Sequence, residues 1–474
     1  MLFNSISFLI FLPIVFFLYW LNIQRKERWQ NAVLLFASYI FYGWWDWRFL
    51  LLLAFSTLLD YLAGMAIETT TWEGRKKLIL WTTVILNLLI LGFFKYFNFF
   101  ISSATSLLET LGFQVNPWTL NIILPIGISF YTFHGLSYVI DIYFGRIRSI
   151  NDPFVYSVFV CYFPLLVAGP IERATHLLPQ LQKRRTFDYH MAIDGFRIIL
   201  WGFFKKLVIA DLVAVEVDRI FQDHTIYGGV ALILGSIYFA IQVYADFSGY
   251  TDIARGVSRL FGIEVLENFR SPYLSRSIPE FWSRWHISLS SWLNDYVFTP
   301  IAIEWRGMGR HGIMLAVMIT FIISGLWHGP AWHFVIWGAL HGLYYLPHVY
   351  RKKGVRSLAV KSQGAFSWKD LPAILLTFSL VCIGYVFFRS VDLQQAIDYF
   401  SGMASHPWSL GGYFVKWNIN LLLLSSILID ILAQKGYFSG RYNTFFLLLE
   451  SLILGLLIFT VGNFGSVEFI YFQF

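Results

Sequence analysis

Two histidines stand where they could carry protons inside a membrane. His286 lies in Phe281-Trp282-Ser283-Arg284-Trp285-His286-Ile287-Ser288-Leu289-Ser290. His328 lies in Ser324-Gly325-Leu326-Trp327-His328-Gly329-Pro330. Most of the remaining chain is apolar and helix-length. An ionisable side chain at membrane depth is costly, so its presence there is first read as functional. Imidazole also titrates near neutral pH, which suits it to taking up and releasing a proton.

Each residue has a plainer reading beside the chemical one. Gly329 lets a backbone or substrate come close to His328. Pro330 ends the preceding helix, so His328 falls at a helix break that must line a cavity or be buried in protein. The plainer reading is a packed histidine bonded to a neighbouring helix. Trp282, Arg284, Trp285 and Trp292 surround His286 in the sequence. Trp285, Leu289 and Trp292 share one helical face, as an interfacial helix anchored by tryptophan would have it. In the chemical reading, Arg284 and His286 receive an acyl donor.

Asp246 and Asp252 flank Phe247-Ser248-Gly249-Tyr250 at an expected helix end. They orient a histidine or pair with Arg255. His333, Trp337 and His341 recur at i, i+4 and i+8, which makes a polar stripe. With no carboxylate or cysteine to complete a set, metal binding is not expected there. Lys205 and Lys206 sit inside an apolar stretch, where they either snorkel or attract phosphates.

Composition decides the class. The 474 residues are 57% hydrophobic and 13% charged, with mean hydropathy +0.61. Soluble domains average about a quarter charged residues, so this is a polytopic membrane protein. The net charge of +7 lies in short loops, leaving no basic stripe for nucleic acid. Cys161 and Cys382 lie in apolar runs and read as buried small side chains, not as a disulfide framework.

Expected spans are residues 6–21, 32–42, 49–67, 78–100, 120–142, 193–213, 230–243, 313–326, 332–346, 371–388, 419–432 and 444–461. Residues 155–168 are apolar but broken by Pro164 and Gly169-Pro170, and read as a re-entrant segment buried in protein. The first stretch has no basic leader or small-residue cleavage site and reads as a retained helix. Arg25-Lys26 with Arg28, Arg75-Lys76-Lys77, Lys183-Arg184-Arg185 and Arg351-Lys352-Lys353 are expected in the cytosol, with the N-terminus outside. Residues 251–312 form a long polar interruption that starts and ends on the cytosolic side. This count puts His286 at the cytosolic end and His328 at the far end of the next span.

Six segments, in order, resemble signatures of the membrane-bound O-acyltransferase family. They are Gly92-Phe93-Phe94-Lys95-Tyr96-Phe97-Asn98, Leu124-Pro125-Ile126-Gly127-Ile128-Ser129-Phe130-Tyr131-Thr132-Phe133, Ala168-Gly169-Pro170-Ile171, Asp246-Phe247-Ser248-Gly249-Tyr250-Thr251-Asp252, Arg284-Trp285-His286-Ile287-Ser288-Leu289-Ser290 and Gly325-Leu326-Trp327-His328-Gly329. The branch that O-acetylates alginate and peptidoglycan is the most similar. The likeness departs at His134, where glutamine is expected, and after Pro300 in Val297-Phe298-Thr299-Pro300-Ile301-Ala302-Ile303, where that branch usually has a glycine pair.

The resemblance implies an all-α fold of about eleven to twelve transmembrane helices, with re-entrant and interfacial helices around a central pore, as one integral-membrane domain over residues 1–474. It implies His328 and His286 as catalytic residues, with Arg284, Trp285, Asp246 and Trp327 on the donor. It also implies acetyl-CoA as a passing donor substrate, no tightly bound cofactor and no resident metal. The acceptor would be an extracytoplasmic hydroxyl, reached through an acetyl-accepting partner protein, in a bacterial inner membrane. Two other readings remain open. One is a teichoic-acid D-alanylation subunit fed by a carrier-protein thioester. The other is a proton-coupled transporter, though no inverted repeat is visible.

Overall fold

The structure, a computed structural model, describes residues 1–21, 27–351, 366–435, 444–465 and 469–470. Arg25, Lys26, Lys352, Lys353 and residues 471–474 of the terminal aromatic segment lie outside the described residues. Among the described residues every regular element is helical. In chain order the α-helices are α1 (Ile6–Trp20), α2 (Glu27–Asp46), α3 (Phe49–Thr69), α4 (Glu73–Leu91), α5 (Phe97–Thr110), α6 (Ile128–Tyr143), α7 (Pro153–Cys161), α8 (Ala174–Leu181), α9 (Tyr189–Phe203), α10 (Asp211–Gln222), α11 (Gly229–Leu260), α12 (Ile278–Trp282), α13 (Ile287–Leu293), α14 (Thr299–Glu304), α15 (Arg310–His328), α16 (Trp332–Arg351), α17 (Leu371–Arg389), α18 (Leu393–Ser405), α19 (Trp417–Gln434) and α20 (Thr444–Val461).

Six helical segments among the described residues are long and apolar enough to cross a membrane: Phe49–Thr69, Glu73–Thr110, Gly229–Leu260, Arg310–His328, Trp368–Arg389 and Trp417–Gln434. The protein is therefore multi-pass. Shorter apolar helices begin and end the chain. Two other expected spans are helical but interrupted, while 32–42 and 332–346 lie in the continuous helices α2 and α16. Residues 120–142 start as irregular chain, because Pro125 cannot donate a helical bond and Gly127 takes a left-handed φ of 76° before α6 begins. Residues 193–213 pass through a π-helical turn, Phe204–Ala210. Thr57, Thr320 and Thr377 each bond the carbonyl four residues back, which satisfies a hydroxyl where no water is at hand.

The largest departure concerns α11. The span expected at 230–243 opens a single helix of 32 residues. Asp246 and Asp252 therefore lie within a helix and not at its end. Their carboxylates are matched by lysines, so the helix need not break to reach water.

The chain divides into two compact units, residues 1–196 with 254–266 and residues 197–253 with 267–474. In the first, Arg185 is buried and bonds Tyr19 Oη at 2.7 Å and Asn31 Oδ1 at 2.8 Å. It was expected as a loop charge, but serves as an anchor between α1, α2 and the chain after α8. Gln30 donates to its carbonyl at 2.9 Å, so the basic residues near Arg28 and near Arg185 lie on one side of this unit. Residues 155–168 behave as their composition predicts: α7 ends at Cys161, and irregular chain follows with every residue buried. The Phe163 amide is met by Ser38 Oγ at 3.0 Å. His134, the departure from the family signature, accepts the Glu172 amide at 3.0 Å.

In the second unit α15 and α16 pack backbone to backbone. A Cβ at Gly325 would stand 2.2 Å from the Phe334 carbonyl oxygen, and one at Gly338 would stand 2.3 Å from that of Phe321. Small residues are what permit such an approach between apolar helices. This hairpin supports His328 and the aromatic rings around it.

Candidate active site

Helix α15 ends at His328. Gly329 is extended (φ −160°, ψ 151°) and Pro330 follows, so the break expected from the sequence is present. His328 is 5% exposed. Its ring lies 5.1 Å from that of Trp327, 5.0 Å from Trp337 and 5.2 Å from Phe388. Gly329 leaves room for this cage, since a Cβ there would meet the Phe334 ring at 2.1 Å.

His286 is held differently. Residues 281–292 do not form one helix. Helix α12 stops at Trp282, α13 starts at Ile287, and His286 between them has φ 42° and ψ 54°. A non-glycine residue in that left-handed region costs about 1 to 2 kcal/mol and persists only where its surroundings fix it. Here Asn268 fixes it. The Ile287 amide donates to the Asn268 carbonyl at 2.9 Å, and the Ser288 hydroxyl donates to Asn268 Oδ1 at 2.5 Å. The shared helical face of Trp285, Leu289 and Trp292 therefore does not exist. Trp285 and Trp292 are buried, with no interfacial exposure.

The His286 ring is fully enclosed, and neither nitrogen meets a hydrogen-bond partner among the described residues. Burial pushes its pKa down to about 3, so at neutral pH the ring is an uncharged base.

The two histidines share one side chain. The Trp327 ring lies 5.9 Å from that of His286 and 5.1 Å from that of His328. The expected separation, with one histidine at each end of a span, is not what the structure has. The helical run from α13 through α14 leads away from His286, and α15 returns to the same level. Residue counting along a chain cannot reveal that return.

The remaining expected donor residues are already engaged. Arg284 Nη2 donates to Glu280 Oε1 at 2.6 Å, both side chains being 2% exposed or less. That ion pair closes the turn that presents His286. Trp285 stacks on Phe281 at 5.6 Å and Tyr273 at 5.9 Å. Asp246 faces Lys206 at 2.8 Å and accepts the Ile470 amide at 2.7 Å. Lys206 also reaches Asp211 at 2.9 Å, and Lys205 reaches Asp252 at 2.7 Å. Lys205 and Lys206 thus each have a carboxylate partner on α10 or α11. Phe247, next to Asp246, meets the His286 ring edge to face, with centroids 4.7 Å apart.

Several residues escaped the sequence reading. Asn268 gave no signal, because an asparagine in a polar stretch looks like any loop residue. Ser324, one turn before His328, is 2% exposed with no hydroxyl partner among the described residues. His341 was visible by its helical spacing but not by its neighbours. Among the described residues no group of three His, Cys, Asp or Glu could hold a metal ion.

Comparison with known proteins bears on this arrangement. The model of MBOAT, the membrane-bound O-acyltransferase family, matches residues 145–386. The chain is 39% identical over 458 residues to a protein of Pseudomonas aeruginosa named probable alginate O-acetylase AlgI, covering 94% of this chain and 84% of the relative. The chain belongs to the membrane-bound O-acyltransferase family. It is also 32% identical over 435 residues to a Helicobacter pylori peptidoglycan O-acetyltransferase, covering 85% of this chain and 80% of that one. A Bacillus subtilis teichoic acid D-alanyltransferase is 29% identical over 280 residues, covering 56% of this chain and 69% of its own length. The O-acyltransferase match takes in Asp246, Arg284, His286, Trp327 and His328. The protein is a membrane-bound acyltransferase, and the transporter reading is set aside.

Proposed function

We propose that this acyltransferase moves an acetyl group from acetyl-CoA, taken at the cytosolic face, to a hydroxyl on the other side of the membrane, for O-acetylation of a bacterial cell-surface polysaccharide. The observation that carries this is the pairing of His286 and His328 around one indole, with His328 at a buried helix break. Acyl transfer needs a base for the attacking hydroxyl and a proton for the departing thiolate. His328 accepts the hydroxyl proton as the oxygen attacks the thioester carbonyl. A tetrahedral intermediate forms, the carbon–sulfur bond breaks, and the imidazolium returns its proton to the thiolate. His286, uncharged and enclosed beside Trp327, keeps the same space polar.

The acetyl donor is supported by relatives named as O-acetylating enzymes, which are more similar and better covered than the D-alanyltransferase. In this reading an extracytoplasmic partner carries the first acceptor hydroxyl. Arg28, Arg75, Lys76, Lys77, Lys183, Arg184 and Arg351 face the cytosol in this reading, with the N-terminus outside.

The test is purified protein in vesicles with labelled acetyl-CoA, a hydroxyl acceptor inside, and a D-alanyl carrier thioester as the rival donor. Acetyl label on the inner acceptor is the expected result. Transfer from the D-alanyl thioester alone would overturn the donor, and label confined to the outer face would overturn passage through the protein.

A further inference from the structure

Trp282, Trp337 and His341 form a closed set in the second unit. Their rings meet pairwise: Trp282 and His341 at 5.2 Å, Trp337 and His341 at 4.9 Å, and Trp282 and Trp337 at 5.8 Å. Their exposures are 6%, 2% and 0%. Neither indole N–H and neither imidazole nitrogen finds a hydrogen-bond partner among the described residues. A buried donor left unmatched is costly, because it has given up water without gaining a partner. Several such groups in mutual contact call for an explanation, and a polar ligand among them is one.

The register of α15 and α16 places this set. Gly325 lies against Phe334, Gly338 against Phe321, and the Trp282 ring against the Phe321 ring at 5.2 Å. His341 is therefore level with the turn of α15 around Phe321, seven residues before His328. That is roughly 10 Å at 1.5 Å per residue. The displacement runs toward Arg310 and Arg351, the basic ends of α15 and α16. Trp337 joins the two levels, touching His328 at 5.0 Å.

The set offers N–H donors and no charge. It suits neutral carbonyl oxygens and not phosphate. Its distance from His328 fits an amide of the donor's arm lying behind the thioester. We propose that His341, with Trp282 and Trp337, is a positioning site for the amide-bearing arm of the acyl thioester, and that it, and not His286, is the donor-side histidine. The proposal rests on the cytosolic entry of acetyl-CoA described above. Gly384 belongs to it: a Cβ there would stand 2.8 Å from His341 Nε2 and 3.4 Å from Trp337 Cδ1. A side chain at 384 would press on that edge of the imidazole.

The experiment compares acetyl-CoA with S-acetyl-mercaptoethanol, a thioester without amides, on wild-type protein and on His341→Phe, His341→Gln and Gly384→Ala. His341→Phe fills the site and removes its nitrogens. It should raise KM for acetyl-CoA by roughly tenfold, the size of one buried hydrogen bond, with kcat little changed. KM for the short thioester should stay constant. His341→Gln keeps a donor and should restore part of the affinity, while Gly384→Ala should act like His341→Phe. A folded His341→Phe with unchanged KM for acetyl-CoA overturns the proposal. So does an equal rise for both thioesters, which means general distortion. Wild-type protein inert with acetyl-CoA overturns the donor reading itself, a result distinct from any variant effect.

Discussion

Replacing His328 by alanine separates chemistry from packing in this site. A positioned general base contributes about 100- to 10,000-fold to rate. At about 1.4 kcal/mol per decade this is roughly 3 to 5 kcal/mol of transition-state stabilisation. The imidazole is 5% exposed and packed by Trp327, Trp337 and Phe388, so truncation also leaves a cavity. Large-to-small changes in such places cost about 2 to 5 kcal/mol of stability. His328→Phe fills much of that space and has no base. The two variants should therefore lose activity alike but differ in melting temperature, His328→Ala being the lower. Initial rates of label transfer, with thermal unfolding of the purified protein in detergent, give both quantities. A loss that raises only KM would mean that His328 binds substrate uniformly and has no transition-state role. Activity within about threefold of wild type in folded His328→Phe, far below the loss expected of a general base, would refute the assignment.

Because His286 and His328 share Trp327, the two alanine variants should be non-additive. The double variant should be little slower than the worse single one, and excess acetyl-CoA should rescue none of them; rescue of His286→Ala would restore a donor role for that residue. Below pH 6.5 the unfolded chain takes a proton that buried His286 refuses down to about pH 3. Stability should therefore fall with falling pH by about 1.4 kcal/mol per unit more in wild type than in His286→Phe, read from denaturation midpoints. Lys206→Met leaves Asp211 and Asp246 buried without their cation, and should cost about 3 to 5 kcal/mol. Adding Asp246→Asn should recover part of the melting temperature, and no recovery would show that Lys206 acts otherwise.

The local breaks in the backbone were readable before any fold. The break at His328 follows from Gly329-Pro330 because proline cannot continue a helix, whatever surrounds it. The buried irregular stretch after Cys161 follows from Pro164 and Gly169-Pro170 in an apolar run. What failed were assignments that needed a partner. Lys205 and Lys206 were ambiguous because a lysine in an apolar stretch is explained only by what faces it, and Asp252 and Asp246 lie on another helix. Trp285 and Trp292 looked like interfacial anchors because periodicity assumes a continuous helix. Asn268 interrupts that helix from a position 18 residues before His286.

The sequence by itself determined the class and the family and singled out the two histidines as candidates, since these rest on composition, local backbone chemistry and ordered motifs. Only the tertiary structure decided that His286 and His328 meet at Trp327, that Arg284 and Asp246 are held in ion pairs, and that His341 stands with two unmatched indoles. Proximity between residues distant in the chain comes from helix packing. That packing depends on details such as the Gly325 and Gly338 backbone contacts, which a linear pattern records only as two glycines.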